Sequence, residues 1–593
     1  MPQTAGRDRY LRSLIIRLRR SNQLILSLLA IVIGVASGLA AIAFRQTIDL
    51  VQRGTLGFGG EKVATLAAEL AWWHLLLVPA LGGLAIGLFV HFFMPHRRPE
   101  GVADVIEASA LKGGRMSPLV GLKAALVSAA SLGVGASVGR EGPVVHLGAS
   151  LGGWAAERLR LGRGLSRTLL GCGVAAAVAA SFNAPIAGTF FALEVVVGHY
   201  ALSAFAPIVL ASVTGTIVSR MYYGDFPAFI LPQNWVIASF WEFPSFALLG
   251  VVSAVAAILF MRSIIVAEEA VARVPLPSWS RPAFAGLCVG AIAIAFPQVL
   301  GVGYGSTDAA LSELYPLWLL VALIALKTLA TSISLAGGFG GGVFSPSLFI
   351  GAMVGGAYGN LATSAFPHLS SGHGAYTMIG MGAVAGAVLG APISTILMIF
   401  ELTGDYELMV AVMIATVISS IITQQVHGYS FFHWQLERRG LSLKEGQEIN
   451  LLRDTRVESI MDASYQTIAD DAPLSEVKDG LQTAPWGELL VVGAEGQLSG
   501  KITFADLHDA AFDDSHDRDW SARNVARRQP AVLTMDEDLI SAVKVFSTCG
   551  EAHLPVVRDH ETMTLVGVAH EHKVMAAYHR ALVRARREER GEA

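Results

Sequence analysis

The chain has 593 residues, of which 53% are hydrophobic and only 15% charged, with a formal net charge of −4 at pH 7. A soluble protein carries about a quarter charged residues, so this balance points to a membrane protein, and the missing basic excess argues against a nucleic-acid partner. Cys172, Cys288 and Cys549 are scattered and form neither a metal spacing nor a disulfide framework.

In chain order, the first twenty residues hold six arginines, Arg7, Arg9, Arg12, Arg17, Arg19 and Arg20, against the single acid Asp8. A charge-free run from Leu24 to Phe44 follows, long enough to span a bilayer core. Its length and the apolar runs after it favour a first span over a signal peptide. Arginine clusters stay on the cytoplasmic side, so the N-terminus is expected inside. Further apolar stretches fall near Trp72–Met94, Leu119–Val138, Leu169–Ala180, Ala184–Val197, Ala204–Val218, Phe246–Met261, Ala283–Phe296 and Leu314–Leu326.

From Thr328 to Phe400 there is no Asp, Glu, Lys or Arg, yet glycines, prolines and serines interrupt the run. Broken helices at membrane depth are tolerated only where protein or water covers the freed backbone. The reading is a compact bundle of long, short and half-spanning helices. After Gln435 the chain turns polar, with strand-like runs at Leu489–Val492 and Leu554–Val557 and a tail carrying Arg580, Arg584, Arg586, Arg587 and Arg590. The plan is a basic cytoplasmic N-terminus (1–23), a transmembrane domain (24–435), a linker (436–454), two small α/β units (455–513 and 520–580) and a basic tail (581–593). Both termini are expected on the cytoplasmic side of the cell (inner) membrane.

Two repeats stand out. Gly139-Arg-Glu-Gly-Pro143, followed by Gly148, Ala149, Gly152 and Gly153, recurs as Gly342-Val-Phe-Ser-Pro346, followed by Gly351, Ala352, Gly355 and Gly356. Ala184-Pro-Ile186 with Glu194 recurs as Ala391-Pro-Ile393 with Glu401. Such duplication marks transporter folds, whose interrupted segments meet near the midplane; an odd number of spans per half makes the halves inverted. In the polar region Leu474, Val491-Val492 and Gly500 recur as Leu539, Val556-Val557 and Gly567, each unit reading strand–helix–strand–strand–helix.

The two glycine-rich turns each precede a fresh apolar helix. A helix start offers unpaired N–H groups and about half a positive charge, enough to attract a small anion without holding it as a buried lysine would. The plain alternative is that the glycines allow tight helix crossings; the equivalent placement of both turns favours the anion site. Glu141 stands inside the first turn, and an intramembrane carboxylate is functional by default. Charged, it fills the site as a tethered competing anion; neutral or swung aside, it opens the path. A glutamate simply paired with Arg140 is the other reading.

Gly139–Pro143 resembles the GREGP motif of the CLC family of chloride channels and proton/chloride exchangers. Gly342–Pro346 is similar to the family's GxFxP motif, and Phe182-Asn-Ala-Pro185 and Phe400-Glu-Leu-Thr-Gly-Asp405 resemble further signatures. The likeness covers about residues 24–440, and the C-terminal part resembles paired cystathionine-β-synthase (CBS) domains. It implies a homodimer with one chloride pathway per subunit, no required cofactor, Glu141 as gate, and an anion site around Gly139, Arg140, Gly142 and Gly342 with the amides of Val343 and Phe344 at its centre.

Three departures follow from the resemblance. The family's GSGIP segment aligns with Pro99-Glu100-Gly101-Val102-Ala103, which puts Glu100 where a coordinating serine is expected. The coordinating tyrosine aligns with Phe432, which has no hydroxyl, while Tyr429 is three positions out of register. The internal glutamate of exchangers aligns with Val195. Glu100 is then a candidate proton acid, with Glu141 the other member of a proton path; a solvated loop acid is an equal reading of Glu100. Glu194 and Glu401 read as structural acids, capping or pairing within the bundle, and His146 as a packed or hydrogen-bonded histidine. Thr503-Phe-Ala-Asp506 resembles the ribose-binding element of CBS domains, with an adenine nucleotide as its ligand, whereas the equivalent His570–Lys573 lacks both residues; a purely structural dimerisation role and a surface role for Asp506 stay open.

The expected function is CLC-type chloride conduction gated by Glu141, passive or weakly proton-coupled, with proton/chloride antiport through an unorthodox internal acid as the alternative. A cation transporter with nucleotide-sensing CBS domains ranks far below, because it needs pore carboxylates that Thr328–Phe400 lacks. Nothing reads as an enzyme: no nucleophile–base pair stands out.

Overall fold

The computed structural model describes residues 22–61, 63–225, 229, 237–441, 452, 455–507 and 519–589. The arginines of the N-terminus, most of the linker, Arg590 and the side chains of Arg584, Arg586 and Arg587 lie outside the described residues. Two units divide the chain, residues 1–443 and 444–593.

The first unit is helical. Its first half holds α1 (Asn22–Thr55), α2 (Val63–Ala67), α3 (Trp72–Phe93), α4 (Val102–Ala110), α5 (Pro118–Gly133), α6 (Glu141–Arg158), α7 (Arg163–Phe182), α8 (Pro185–Phe191) and α9 (Leu202–Tyr223). Its second half holds α10 (Phe243–Arg273), α11 (Arg281–Ala295), α12 (Tyr304–Leu311), α13 (Leu317–Gly337), α14 (Phe344–Ala365), α15 (His373–Leu389), α16 (Pro392–Thr403), α17 (Tyr406–His427) and α18 (Phe431–Arg438). Seven helical stretches among the described residues are long and apolar enough to cross a membrane. The 16 residues of α5 are short pieces of the kind the broken pattern implied, since at 1.5 Å per residue they reach about 24 Å against a ~30 Å hydrocarbon core.

Helix α4 has no counterpart among the apolar stretches, because nine residues containing Asp104 and Glu107 show no long apolar run. It starts where the Asp104 carboxylate accepts the Gly101 N–H at 2.8 Å. Helix α8 runs on without a break into a π-helix over Ala192–Val197.

The duplication is physical. Gly139 and Gly342 pair as an antiparallel bridge, N–H to O in both directions at 2.7 and 2.8 Å, so the equivalent turns meet head to tail. Downstream, a Cβ on Gly148 would stand 2.3 Å from the Gly173 oxygen, and one on Gly351 2.5 Å from the Gly380 oxygen. These later glycines therefore do serve close crossings, of α6 with α7 and α14 with α15, as the plain alternative held. The acids of the second motif are exchanged between halves. Glu401 accepts the N–H groups of Ile186 and Ala187 at 2.8 and 2.7 Å, while Glu194 accepts those of Ile393 and Ser394 at 3.1 and 2.9 Å. Each half caps the other's Ala-Pro-Ile helix, satisfying donors that a helix start leaves open.

The second unit repeats one motif. The first copy has β1 (Thr467–Ala469), α19 (Leu474–Thr483), β2 (Glu488–Val492), β3 (Leu498–Thr503) and the short α20 (Phe504–Leu507), then α21 (Ala522–Val525) and β4 (Arg527–Arg528). The second has β5 (Leu533–Thr534), α22 (Leu539–Cys549), β6 (His553–Val557), β7 (Leu565–His570) and α23 (Glu571–Glu589). The sheets run β1-β2-β3-β4 and β5-β6-β7, the first pair parallel and the second antiparallel in each. The register breaks at Val491/Val492 and again at Val556/Val557, the residues whose recurrence the sequence displays.

Candidate functional site

Two cavities approach the Gly139–Gly342 bridge. The larger, about 510 Å³, is lined by Glu100, Gly101, Val102, Gly142, Gly342, Val343, Phe344 and Phe432, together with Arg98, Arg281, Arg438 and Arg439. Eight of the expected site residues thus share one chamber, brought there by the starts of α4, α6, α14 and α18. Tyr429 is not part of its wall, and the residue in register, Phe432, is. The smaller cavity, about 230 Å³, is lined by Arg45, Glu61, Arg140, Gly303 and Tyr304 among others. The backbone passes from one chamber to the other over the three residues Arg140, Glu141 and Gly142.

Glu141 fills that septum and is buried. One carboxylate oxygen accepts the Tyr304 hydroxyl at 2.7 Å, and the other accepts the Ser345 hydroxyl. Arg140 lies at 3.8 Å but its closer partner is Glu61 at 2.9 Å, which also binds Arg45 at 2.8 Å. The Arg140 guanidinium stacks 4.6 Å over the Tyr304 ring. Arg140 thus keeps a longer ion pair with Glu141 while Glu61 holds it more closely, and two neutral hydroxyls carry the direct hydrogen bonds to the Glu141 carboxylate. A buried carboxylate without such donors would carry a large desolvation cost.

Glu100 stands in the loop before α4 and is mostly covered, facing the larger chamber. Its side chain is only 12% exposed, and it lies 3.1 Å from Nε2 of the fully buried His146 and 3.8 Å from His96. The other His146 ring nitrogen, Nδ1, is buried without a hydrogen-bond partner. His146 sits five residues after Glu141 on α6, about 7.5 Å along the axis. Val195 packs in the core as an apolar side chain, and Glu194 and Glu401 are the capping acids already described.

Sequence reasoning missed Tyr304, Glu61, Arg45 and Lys327. Tyr304 had one available signal, its place in the glycine-framed run Gly301-Val-Gly-Tyr-Gly305; Lys327 had another, as the last cation before the charge-free stretch. Ser345 lay inside a motif already quoted.

In the second unit, Thr503 donates both its N–H and its hydroxyl to Asp506, at 2.8 and 2.6 Å. Arg527 holds the same carboxylate from two nitrogens, at 2.9 and 3.2 Å. Partial burial opposes charge on Asp506, yet hydrogen bonds from Arg527 and Thr503 win and hold it below the usual carboxylate range. Thr503 and Asp506 are engaged with each other, and Asp506 also with Arg527. The described part of this unit adds no bonding that marks a ribose.

Facing helix starts of the two halves and a buried carboxylate between two chambers make up the site. The model of the family described as voltage gated chloride channel matches residues 82–424, and the chain belongs to that family of membrane channels and transporters, not enzymes. It is 37% identical over 390 residues to a putative chloride channel protein ClcB-like of Ralstonia nicotianae (strain ATCC BAA-1114 / GMI1000), covering 65% of this chain and 90% of the relative. A slow cyanobacterial Cl−/H+ antiporter has the same fold at TM-score 0.63 and 22% identity, over 70% of this chain and 97% of that one. A eukaryotic CLC transporter matches at TM-score 0.59 and 19% identity, over 93% of this chain and 98% of that one.

Proposed function

We propose that this multi-pass membrane protein conducts chloride, passively or with weak proton coupling, and that Glu141 is its gate. The observation that carries the reading is the position of that carboxylate, alone in a septum between two cavities and set on the facing turns Gly139–Gly142 and Gly342–Phe344. Charged, it excludes anions from the septum; protonated or displaced, it leaves the backbone dipoles of α6 and α14 to attract them. Chloride efflux from proteoliposomes tests this. Glu141→Gln, which has no charge to lose, is expected to give flux that no longer varies with pH, and an unchanged pH dependence would end the assignment.

A second reading is proton/chloride antiport, and the specific observation in its favour is the Glu100–His146 pair. It places a carboxylate and an imidazole, groups able to share a proton, on the wall of the larger chamber and on the gate's own helix. Uphill proton movement driven by a chloride gradient, lost in Glu100→Gln, would select this reading over the first.

The larger chamber is assigned to the cytoplasmic side, with both termini there and the protein in the cell (inner) membrane. A homodimer with one pathway per subunit fits the apolar rim of the cross-capped helices, where Ile186 and Ile393 are 44% and 42% exposed. The C-terminal unit is proposed as a CBS pair; its two bulged sheet copies support that reading, and nucleotide binding through Thr503 and Asp506 would have to displace Arg527.

A further inference from the structure

The hydroxyl on Glu141 comes from a segment that is unusually well fixed. Tyr304 opens α12 directly after Gly303, whose φ is +92°. A side chain there would meet the Phe349 ring at 2.6 Å, so only glycine fits the approach. Beneath it lies Lys327, fully buried on α13, whose ammonium donates to the Val299 and Gly301 carbonyls at 2.9 and 2.8 Å and sits 5.1 Å from the centre of the Phe349 ring. An intramembrane lysine carries a high desolvation cost unless something requires it. Here its bonds go to the loop that delivers Tyr304. The Tyr304 residue is 2% exposed, its ring stacks against Arg140, and its hydroxyl donates to Glu141.

We propose that Tyr304, anchored through Lys327, is the latch of the gate: a positioning residue whose hydroxyl favours the seated, charged Glu141 and must be released for the path to open. The proposal rests on Glu141 being the gate and holds for channel and exchanger alike. A donated hydrogen bond stabilises a carboxylate over its acid form, so the latch resists opening by protonation. The charged and titratable groups facing Glu141 are Arg140 on its own turn, Tyr304 on α12 and, one contact further, Glu61, Arg45 and Lys327; Ser345 on α14 is the second donor. Removing one donor leaves the others in place.

The experiment records chloride efflux from proteoliposomes across a pH series for the wild type, Tyr304→Phe, Lys327→Met, Glu141→Gln and the double variant Tyr304→Phe/Glu141→Gln. Tyr304→Phe keeps the ring and its packing. It is expected to move the flux profile to higher pH by about one unit, with roughly tenfold more flux on its flank, the scale of one hydrogen bond to a charged group. Lys327→Met is expected to displace the profile in the same direction, and Tyr304→Phe to change nothing once residue 141 is Gln. A residue that merely supports the fold would scale flux equally at every pH. If Glu141→Gln abolishes pH dependence while Tyr304→Phe leaves the profile in place, the latch is overturned and the gate survives. If Glu141→Gln retains pH dependence, or the wild type has none, the gate falls and the latch with it.

Discussion

Lys327 shows what a single buried charge can be for. Among the described residues its ammonium meets two carbonyls and an aromatic face and no carboxylate, so its worth is positional. Each buried carbonyl left without a donor costs about 1–3 kcal/mol; Lys327→Met is therefore expected to lower the thermal inactivation midpoint in detergent by several degrees, read by fluorescence-detected gel filtration. Asp506 makes the complementary case at the protein–water boundary. Because its folded-state carboxyl titrates below the unfolded value, the pairing with Arg527 contributes stability above the usual carboxylate range and loses it as pH falls through the folded value. Arg527→Ala is expected to move the acid-unfolding midpoint of the C-terminal unit to higher pH, followed by circular dichroism. Half-exposed as Arg527 is, the loss is expected to be modest.

At the scale of elements, the two halves are joined by exchange rather than by apolar contact alone. Glu194 and Glu401 each cap a helix belonging to the other repeat, so Glu194→Gln and Glu401→Gln are each expected to cost about 1 kcal/mol, with a non-additive double variant because both lie in the α8–α16 contact. Thermal midpoints of the three variants check this. These acids were readable as structural members of a repeat, with capping and pairing both open, as were the two glycine turns, since a duplicated motif is a local pattern. The π-helix that carries Glu194 was not readable: its extra residue per turn leaves no mark in hydropathy. Helix α4 escaped notice for want of an apolar run. Glu100 fell in the chamber that its alignment implied, whereas its partner His146 and the contact of Tyr304 with Glu141, 163 positions apart, are products of packing that spacing cannot encode.

For the whole molecule, a 510 Å³ and a 230 Å³ chamber are lined by neighbouring residues of one turn, Gly142 on the first and Arg140 on the second. Four arginines on the wall of the larger chamber are partly neutralised within it, Arg98 and Arg439 by Asp104 and Arg438 by Glu268. That leaves Glu100 as an acid on an anion route. Under the passive reading, Glu100→Gln removes a repulsive charge and is expected to raise chloride flux about two- to threefold, the order of a sub-kilocalorie interaction screened by water, measured in the same liposomes.

The placement of Glu141 between two chambers has an electrical corollary. Where electrolyte reaches inward from both faces, the membrane potential drops across the remaining insulating slab and not across the full bilayer. A unit charge crossing it gains about 2.3 kcal/mol per 100 mV. If Glu141 is the gate proposed above, displacing its carboxylate would move charge through part of that drop, and chloride flux is expected to depend on membrane potential.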